Sequence, residues 1–188
     1  NRNADLCFAV TGFRRDSRNL IDFSYCPDSY ALCDDGRFGY YNNVGSARAT
    51  GFELELAARI SRTLRAQSSY TYVKSVDRST GFNAGTDLPR RPRHALTVSA
   101  DWSPVTSGPL SGFVLGADVR MVGDSYNSVG NLGPLKGYAI GTLRASLPID
   151  ERLEVFGRIE NITNEKYATV RDYGTAGRSA FVGLRAKI

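Results

Sequence analysis

The sequence predicts an all-β chain: an antiparallel transmembrane β-barrel, here about nine strands of wall with no helix. Three observations predict it. Long runs alternate apolar and polar residues at period two, the mark of strands whose two sides meet different media. The runs exceed the five or six residues usual in soluble strands and approach the roughly nine to eleven of a tilted bilayer-spanning strand. Connections alternate in length, short near residues 16, 62, 106 and 150 and long near 35, 84, 130 and 170. A meander with one tight end and one elaborated end has that pattern, and its neighbours run antiparallel.

The strands follow in order. Residues 6–15 set Leu6, Phe8 and Val10 on one face, and Arg15, Asp16 and Ser17 read as a polar turn into 19–25. There Ile21, Phe23 and Tyr25 alternate with Asp22 and Ser24. Residues 26–43 read as a long loop. Residues 47–60 oppose Phe52, Leu54, Leu56, Ala58 and Ile60 to Glu53, Glu55 and Arg59. After a tight turn, 64–76 set Leu64, Ala66, Tyr70 and Tyr72 against Arg65, Gln67 and Thr71. A long loop, 77–91, ends in arginines. Residues 94–102 carry Leu96, Val98, Ala100 and Trp102 opposite Thr97, Ser99 and Asp101. Residues 113–122 set Phe113, Leu115, Val119 and Met121 against Asp118 and Arg120. The stretch 123–136 reads as loop. Residues 138–147 set Ala139, Leu143 and Leu147 against Thr142, Arg144 and Ser146. A hairpin, 152–188, closes the chain, its last run alternating Ala180, Val182, Leu184, Ala186 and Ile188 with Phe181, Arg185 and Lys187.

Such faces exclude buried parallel strands, which are apolar on both sides. A sheet in lipid must pair every backbone group within protein, so it closes into a barrel with apolar residues outside and charged ones inside. Tyr25, Tyr70, Tyr72, Trp102, Phe113 and Tyr138 near strand ends fit interfacial aromatic girdles. With the tight turns periplasmic, 152–161 runs outward, the last strand returns, and the carboxyl terminus is periplasmic.

Composition narrows the function. The chain has 188 residues, 41% hydrophobic and 23% charged, with a formal charge of +5. Its basic residues are scattered, so no nucleic-acid stripe forms. No run approaches the roughly 18 apolar residues of a membrane helix, and barrel strands need none. No signal-peptide pattern is read, and Asn1 opens in mid-pattern, as expected of a piece of something longer. Cys26 and Cys33 bracket a turn-rich stretch and point to a local disulfide in an oxidising compartment, the alternative being two free thiols. Cys7 packs as a small hydrophobe. With one histidine, no Gly-x-Ser-x-Gly and no metal-ligand spacing, neither catalysis nor a cofactor or metal site is expected. Glu53 and Glu55 read as lumen charge, Asp34 and Asp35 as a polar turn before a calcium site.

Two segments resemble TonB-dependent outer-membrane receptors. In Tyr40 to Leu56, the residues Asn43, Gly45, Ala47, Gly51 and Glu53 are similar to that family's Asn-x-Gly-x-Ala-x-x-x-Gly-x-Glu strand opening. In Arg158 to Arg185, the residues Asn161, Asn164, Tyr167, Tyr173, Gly177 and Arg178 resemble its terminal hairpin. Leu88 to His94 is a weaker match. Ile188 departs from the aromatic that commonly ends family chains. Structural jobs come first: Gly177 for a glycine-only backbone, Asn161 and Asn164 for turn opening, Gly51 for a bulge or close packing.

The resemblance implies a bacterial outer-membrane protein, multi-pass, with residues 1–188 as the carboxyl-terminal portion of a 22-stranded barrel. The plug domain and TonB box would lie outside this chain. It implies uptake of a scarce ligand, ferric siderophore first and cobalamin next, energised by the TonB–ExbB–ExbD complex. The remaining barrel, the plug and lipopolysaccharide or outer-membrane lipid are the other expected partners. Arg78, Arg90, Arg91, Arg171 and Arg178 in the outer loops are the candidate contacts for an anionic chelate, against lipopolysaccharide phosphates or plain solvation. The rival readings are a passive porin and a soluble β-sandwich binding module.

Overall fold

A computed structural model describes residues 5–25, 36, 39–43, 45–80 and 83–186. In chain order its strands are β1 (Asp5–Arg18), β2 (Ile21–Tyr25), β3 (Gly39–Asn43), β4 (Ser46–Arg59), β5 (Leu64–Asp77) and β6 (His94–Trp102). There follow β7 (Val114–Val122), β8 (Ser125–Ser128), β9 (Leu132–Leu135), β10 (Tyr138–Pro148), β11 (Leu153–Glu160) and β12 (Ser179–Ala186). Eight form one antiparallel sheet in the order β1-β4-β5-β6-β7-β10-β11-β12, while β2-β3 and β8-β9 are two-stranded extensions. No described residue is helical.

The register carries one face through the whole sheet. Val10 stands opposite Leu54, Leu54 opposite Tyr70, and Tyr70 opposite Leu96. Leu96 meets Met121, and Met121 meets Ala139. Leu143 meets Ile159, and Ile159 meets Ala180. Residues between these positions point to the other side, and that side is concave. A cavity against it is lined by Cys7, Ala9, Glu55, Gln67, Ser69 and Thr97, and continues past Ser99 to Arg65 and Asp101. The polar face is therefore the inside of a curved wall, and the apolar face the outside.

The outside is bare. Leu54, Val98, Leu115 and Leu184 are 38%, 40%, 39% and 69% exposed. Among the described residues only Ala47 and Leu135 are buried hydrophobics, and no large side chain is fully buried. A β-sandwich would bury this face against a second sheet; here there is one layer. The apolar surface must be covered by something other than this chain, and hydrocarbon fits its breadth.

Two expectations are corrected. Residues 15–17 form no turn: β1 runs straight through them to Arg18. Arg18 pairs with Ser46 and Ile21 with Asn43, so β2-β3 continues the β1-β4 ladder in the same register. The polar triplet stays extended because Asp16 accepts from Arg14 Nε at 3.0 Å and from Arg48 Nε at 2.6 Å. Two expected strands are thus one ribbon, and the sheet has eight strands instead of nine. The second correction is strand inside stretches read as loop: β3, Gly39–Asn43, within 26–43, and the β8-β9 hairpin within 123–136. The hairpin's reversal uses Gly130 and Asn131, both at positive φ.

With 15–17 removed, the alternation of connections is cleaner. Residues 60–63, 103–113 and 149–152 join strands at one end, and the connections after β5, β7 and β11 lie at the other. Cys26, Cys33, Asp34, Asp35 and Ile188 lie outside the described residues. So does the Tyr25 side chain. Cys7 is a free, exposed cysteine on the concave face and not a packed hydrophobe.

Gly51 makes the close approach its place in a long strand foretells. A Cβ there would collide with the Tyr72 carbonyl oxygen and stand 2.9 Å from Phe13 Cζ. Gly51→Val is expected to cost about 1–3 kcal/mol, the range for overpacking, read as a lower urea midpoint of the refolded full-length barrel.

Candidate functional site

The concave wall carries ion pairs at its centre. Arg144 on β10 donates from Nε to Asp118 Oδ2 at 2.6 Å and from Nη2 to Asp118 Oδ1 at 3.0 Å. The same Nη2 lies 3.1 Å from Asp101 Oδ1 on β6. The guanidinium crosses Gly116, where a Cβ would stand 2.6 Å from Arg144 Cζ. One planar cation thus ties three strands together, a geometry that suits arginine's fork. Further along, Arg185 donates to Glu154 at 2.8 Å, and Arg158 lies 2.9 Å from Glu160. Phe156 and Phe181, aromatic on the polar face, sit under Arg185 and Arg158 at 5.3 and 4.8 Å. These cation–π contacts explain two aromatics that break the alternation. All the groups are half open to solvent, so each pair adds little stability.

The long-loop end is tied from loop to loop. Arg90, at positive φ, donates its backbone N–H to the Tyr126 carbonyl at 2.7 Å. The Asp87 N–H donates to Asn131 Oδ1 at 2.9 Å, and the Arg171 N–H to Asn127 Oδ1 at 2.9 Å. Arg93 Nη2 reaches both Asp87 carboxylate oxygens, at 2.8 and 3.0 Å. The β8-β9 hairpin is therefore the post on which the loops after β5 and β11 lean. A cleft beside it is lined by Arg91, Arg93, Asp124, Tyr126 and Lys136.

Of the five expected arginines, all are exposed and three converge: Arg90, Arg91 and Arg171 surround the β8-β9 hairpin. Arg78 lies apart, its N–H on the Ser46 carbonyl, and Arg178 lies apart, its N–H on Asn164 Oδ1. Lys136, Arg93 and Tyr126 were missed, as were the asparagines that fasten the loops. The only sequence signal for them is the turn composition of 127–131.

The terminal loop is held by Asn161, 3% exposed and at positive φ. Its Nδ2 donates to the carbonyls of Glu165 at 3.0 Å and Ala176 at 3.2 Å, and its Oδ1 accepts from the Glu165 N–H at 2.8 Å. Asn164 also has positive φ. Gly177 does not; a Cβ there would stand 3.0 Å from Asn164 Oδ1, so its position is one of tight room and not of backbone freedom. Tyr138, by register on the concave side, packs on Tyr167 at 4.2 Å and belongs to no lipid-facing girdle.

A one-layer wall, apolar outside, charged inside and looped at one end, defines a membrane β-barrel. Residues 2–162 match the family described as TonB dependent receptor-like, beta-barrel, and the chain belongs to that family of receptors. Solved structures share its fold. They include the siderophore receptor PiuA from Acinetobacter baumannii (TM-score 0.71, 21% identity, 96% of this chain and 26% of that one). The ferric-catecholate import receptor Fiu from E. coli K12 aligns with TM-score 0.69 and 19% identity, over 96% of this chain and 25% of its own. The copper transporter OprC aligns with TM-score 0.76 and 15% identity, over 97% and 29%. The chain thus spans about a quarter of the length of these structures.

Proposed function

We propose that residues 1–188 are the carboxyl-terminal wall and outer loops of a bacterial outer-membrane receptor that takes up a scarce ligand. The ligand is a ferric siderophore first, and cobalamin next. Uptake draws energy from the TonB–ExbB–ExbD complex, acting through a plug and TonB box supplied outside this chain. The wall crosses the membrane many times, its long loops face outward and its carboxyl terminus faces the periplasm.

The observation that carries the reading is the convergence of Arg90, Arg91, Arg171 and Lys136 on one hairpin at the long-loop end, in a chain of this family. Clustered cations favour an anionic chelate and raise its local concentration. The neighbours' names, a siderophore receptor for PiuA and a ferric-catecholate import receptor for Fiu, support a ferric siderophore as the first choice, and the copper transporter OprC shares the same wall.

The test uses the full-length receptor in cells starved of iron. Replacing Arg90, Arg91 and Arg171 together by Glu is expected to weaken binding of an anionic ferric siderophore by roughly tenfold or more. Cells lacking TonB should bind the ligand and not import it. Import that persists without TonB would make the protein a passive porin.

A further inference from the structure

One rung of the concave face carries cations that the wall itself leaves unneutralised. Across the sheet at a single level it runs Asp5, Arg59, Arg65, Asp101, Gly116 and Arg144. Arg59 and Arg65 stand directly opposite each other on β4 and β5. They flank the tight turn 60–63, whose tip exposes Arg62. Like charges at opposed positions of an antiparallel pair repel. The register gives each arginine an acid on its other side, and neither acid cancels the pair. Asp5 lies 3.7 Å from Arg59 Nη1, with both side chains at least half exposed. Asp101, opposite Arg65, turns away to Arg144, 3.1 Å from Nη2.

Gly116 makes that diversion possible. It lies between Asp101 and Arg144 in the register. A Cβ there would stand 2.6 Å from Arg144 Cζ and 2.8 Å from Asp101 Oδ1. Through this gap the β10 guanidinium claims the β6 carboxylate. Arg65 keeps no ion-pair partner among the described residues. The next rung outward is Cys7, Ala57, Gln67 and Ser99, all uncharged. A cavity stays open there, lined by Cys7, Arg59, Arg65, Gln67 and Asp101 among others.

We propose that Arg59 and Arg65 form a second anion site, inside the lumen at its tight-turn end, which takes the anionic groups of the chelate as it leaves for the periplasm. Each guanidinium offers paired N–H donors to carboxylate or catecholate oxygens. An anion between them replaces their mutual repulsion with attraction. Both arginines are exposed to water, so the hold is weak enough for release. The site rests on the function proposed above, with tight turns periplasmic and an anionic cargo, and adds an exit-side stop to the cations around the β8-β9 hairpin.

Cys7 reports on the pair directly, being free, exposed and in the wall of the same cavity. The test compares its modification by a negatively and a positively charged methanethiosulfonate, in the full-length receptor in native-like vesicles. Mass spectrometry of the Cys7 peptide gives both rates, and their ratio cancels the thiol's own reactivity. The parent should favour the anionic reagent, and Arg65→Gln should lower the ratio roughly tenfold or more. That change breaks no ion pair among the described residues, so the barrel should fold. In cells, Arg59→Gln with Arg65→Gln should import a radiolabelled ferric tris-catecholate siderophore at least roughly tenfold more slowly, while binding it at the surface as the parent does. A ratio unmoved by Arg65→Gln overturns the proposal. So does a Cys7 that neither reagent reaches, because protein would then cover the pair. Unchanged import by the double variant overturns it, and so does a resting barrel made leaky to large antibiotics, which would mark a plug contact. A parent receptor without TonB-dependent uptake of the probe speaks against the cargo named above, while the rate ratio still judges the anion site.

Discussion

Arginine placed at Leu143 is expected to destabilise the full-length barrel by about 2–4 kcal/mol, whereas arginine at the adjacent Thr142 is expected to be tolerated. Leu143 is mid-strand on β10, between Ala117 and Ile159, and faces away from the concave side. A charge there must be stripped of water at the middle of the apolar band. In membrane barrels that costs about 2–4 kcal/mol at the midplane and little near the interfaces. Thr142 stands opposite Asp118 on the polar face, where a new cation meets water and a carboxylate. Refolding into lipid vesicles under urea gives both values. A soluble protein with a hidden interior would rank the two sites by local packing, with no alternation along the strand. The same pair of substitutions on β6, Val98 against Thr97, should repeat the contrast, because the register ties these strands to one face.

Asn161→Ala is expected to release the loop of residues 162–178 without unfolding the wall. The side chain makes three bonds to loop backbone from a nearly buried position. Alanine leaves the Glu165 N–H and the Ala176 carbonyl without their partners. An orphaned buried group costs about 1–3 kcal/mol, and alanine must also hold a φ of 50° that asparagine accepts more readily. Hydrogen exchange should rise at least tenfold in 162–178 and stay unchanged in β5 and β6. Because Arg171 reaches the β8-β9 hairpin through that loop, ligand affinity should fall with it. Asn161→Asp, which keeps the acceptor and the tolerance of positive φ, should restore part of the exchange protection.

Much of the wall was readable from alternation alone, because each strand separates two media and the separation is written every second residue. The readings at β4 to β7 and β10 to β12 agree with the register. The turn read at residues 15–17 failed for a physical reason. Outside the band neither face of a strand is apolar, so Arg15, Asp16 and Ser17 look like loop composition, while Asp16 serves in a cross-strand ion pair with Arg48. The β8-β9 hairpin was hidden because its strands have four residues each, too few to show a period. At the candidate site, arginines could be read as exposed cations, but their convergence could not. It depends on asparagine side chains and backbone bonds that join residues far apart in sequence, such as Asn131 to Asp87. Phe156 and Phe181 break the alternation on the polar face, and the period alone does not show that Arg185 and Arg158 cover them.

One measurement bears on the whole account. Single cysteines, introduced in turn at positions 95 to 102 of the full-length receptor with Cys7 replaced, can carry a spin label in native-like vesicles. Collisions with dissolved oxygen report lipid, and collisions with a water-soluble nickel chelate report an aqueous lumen or protein surface. Oxygen contact is expected at 96, 98, 100 and 102, and none of that preference at 95, 97, 99 and 101. Even-numbered labels shielded from both reagents would mean a sealed protein interior, and the membrane wall described here would be wrong.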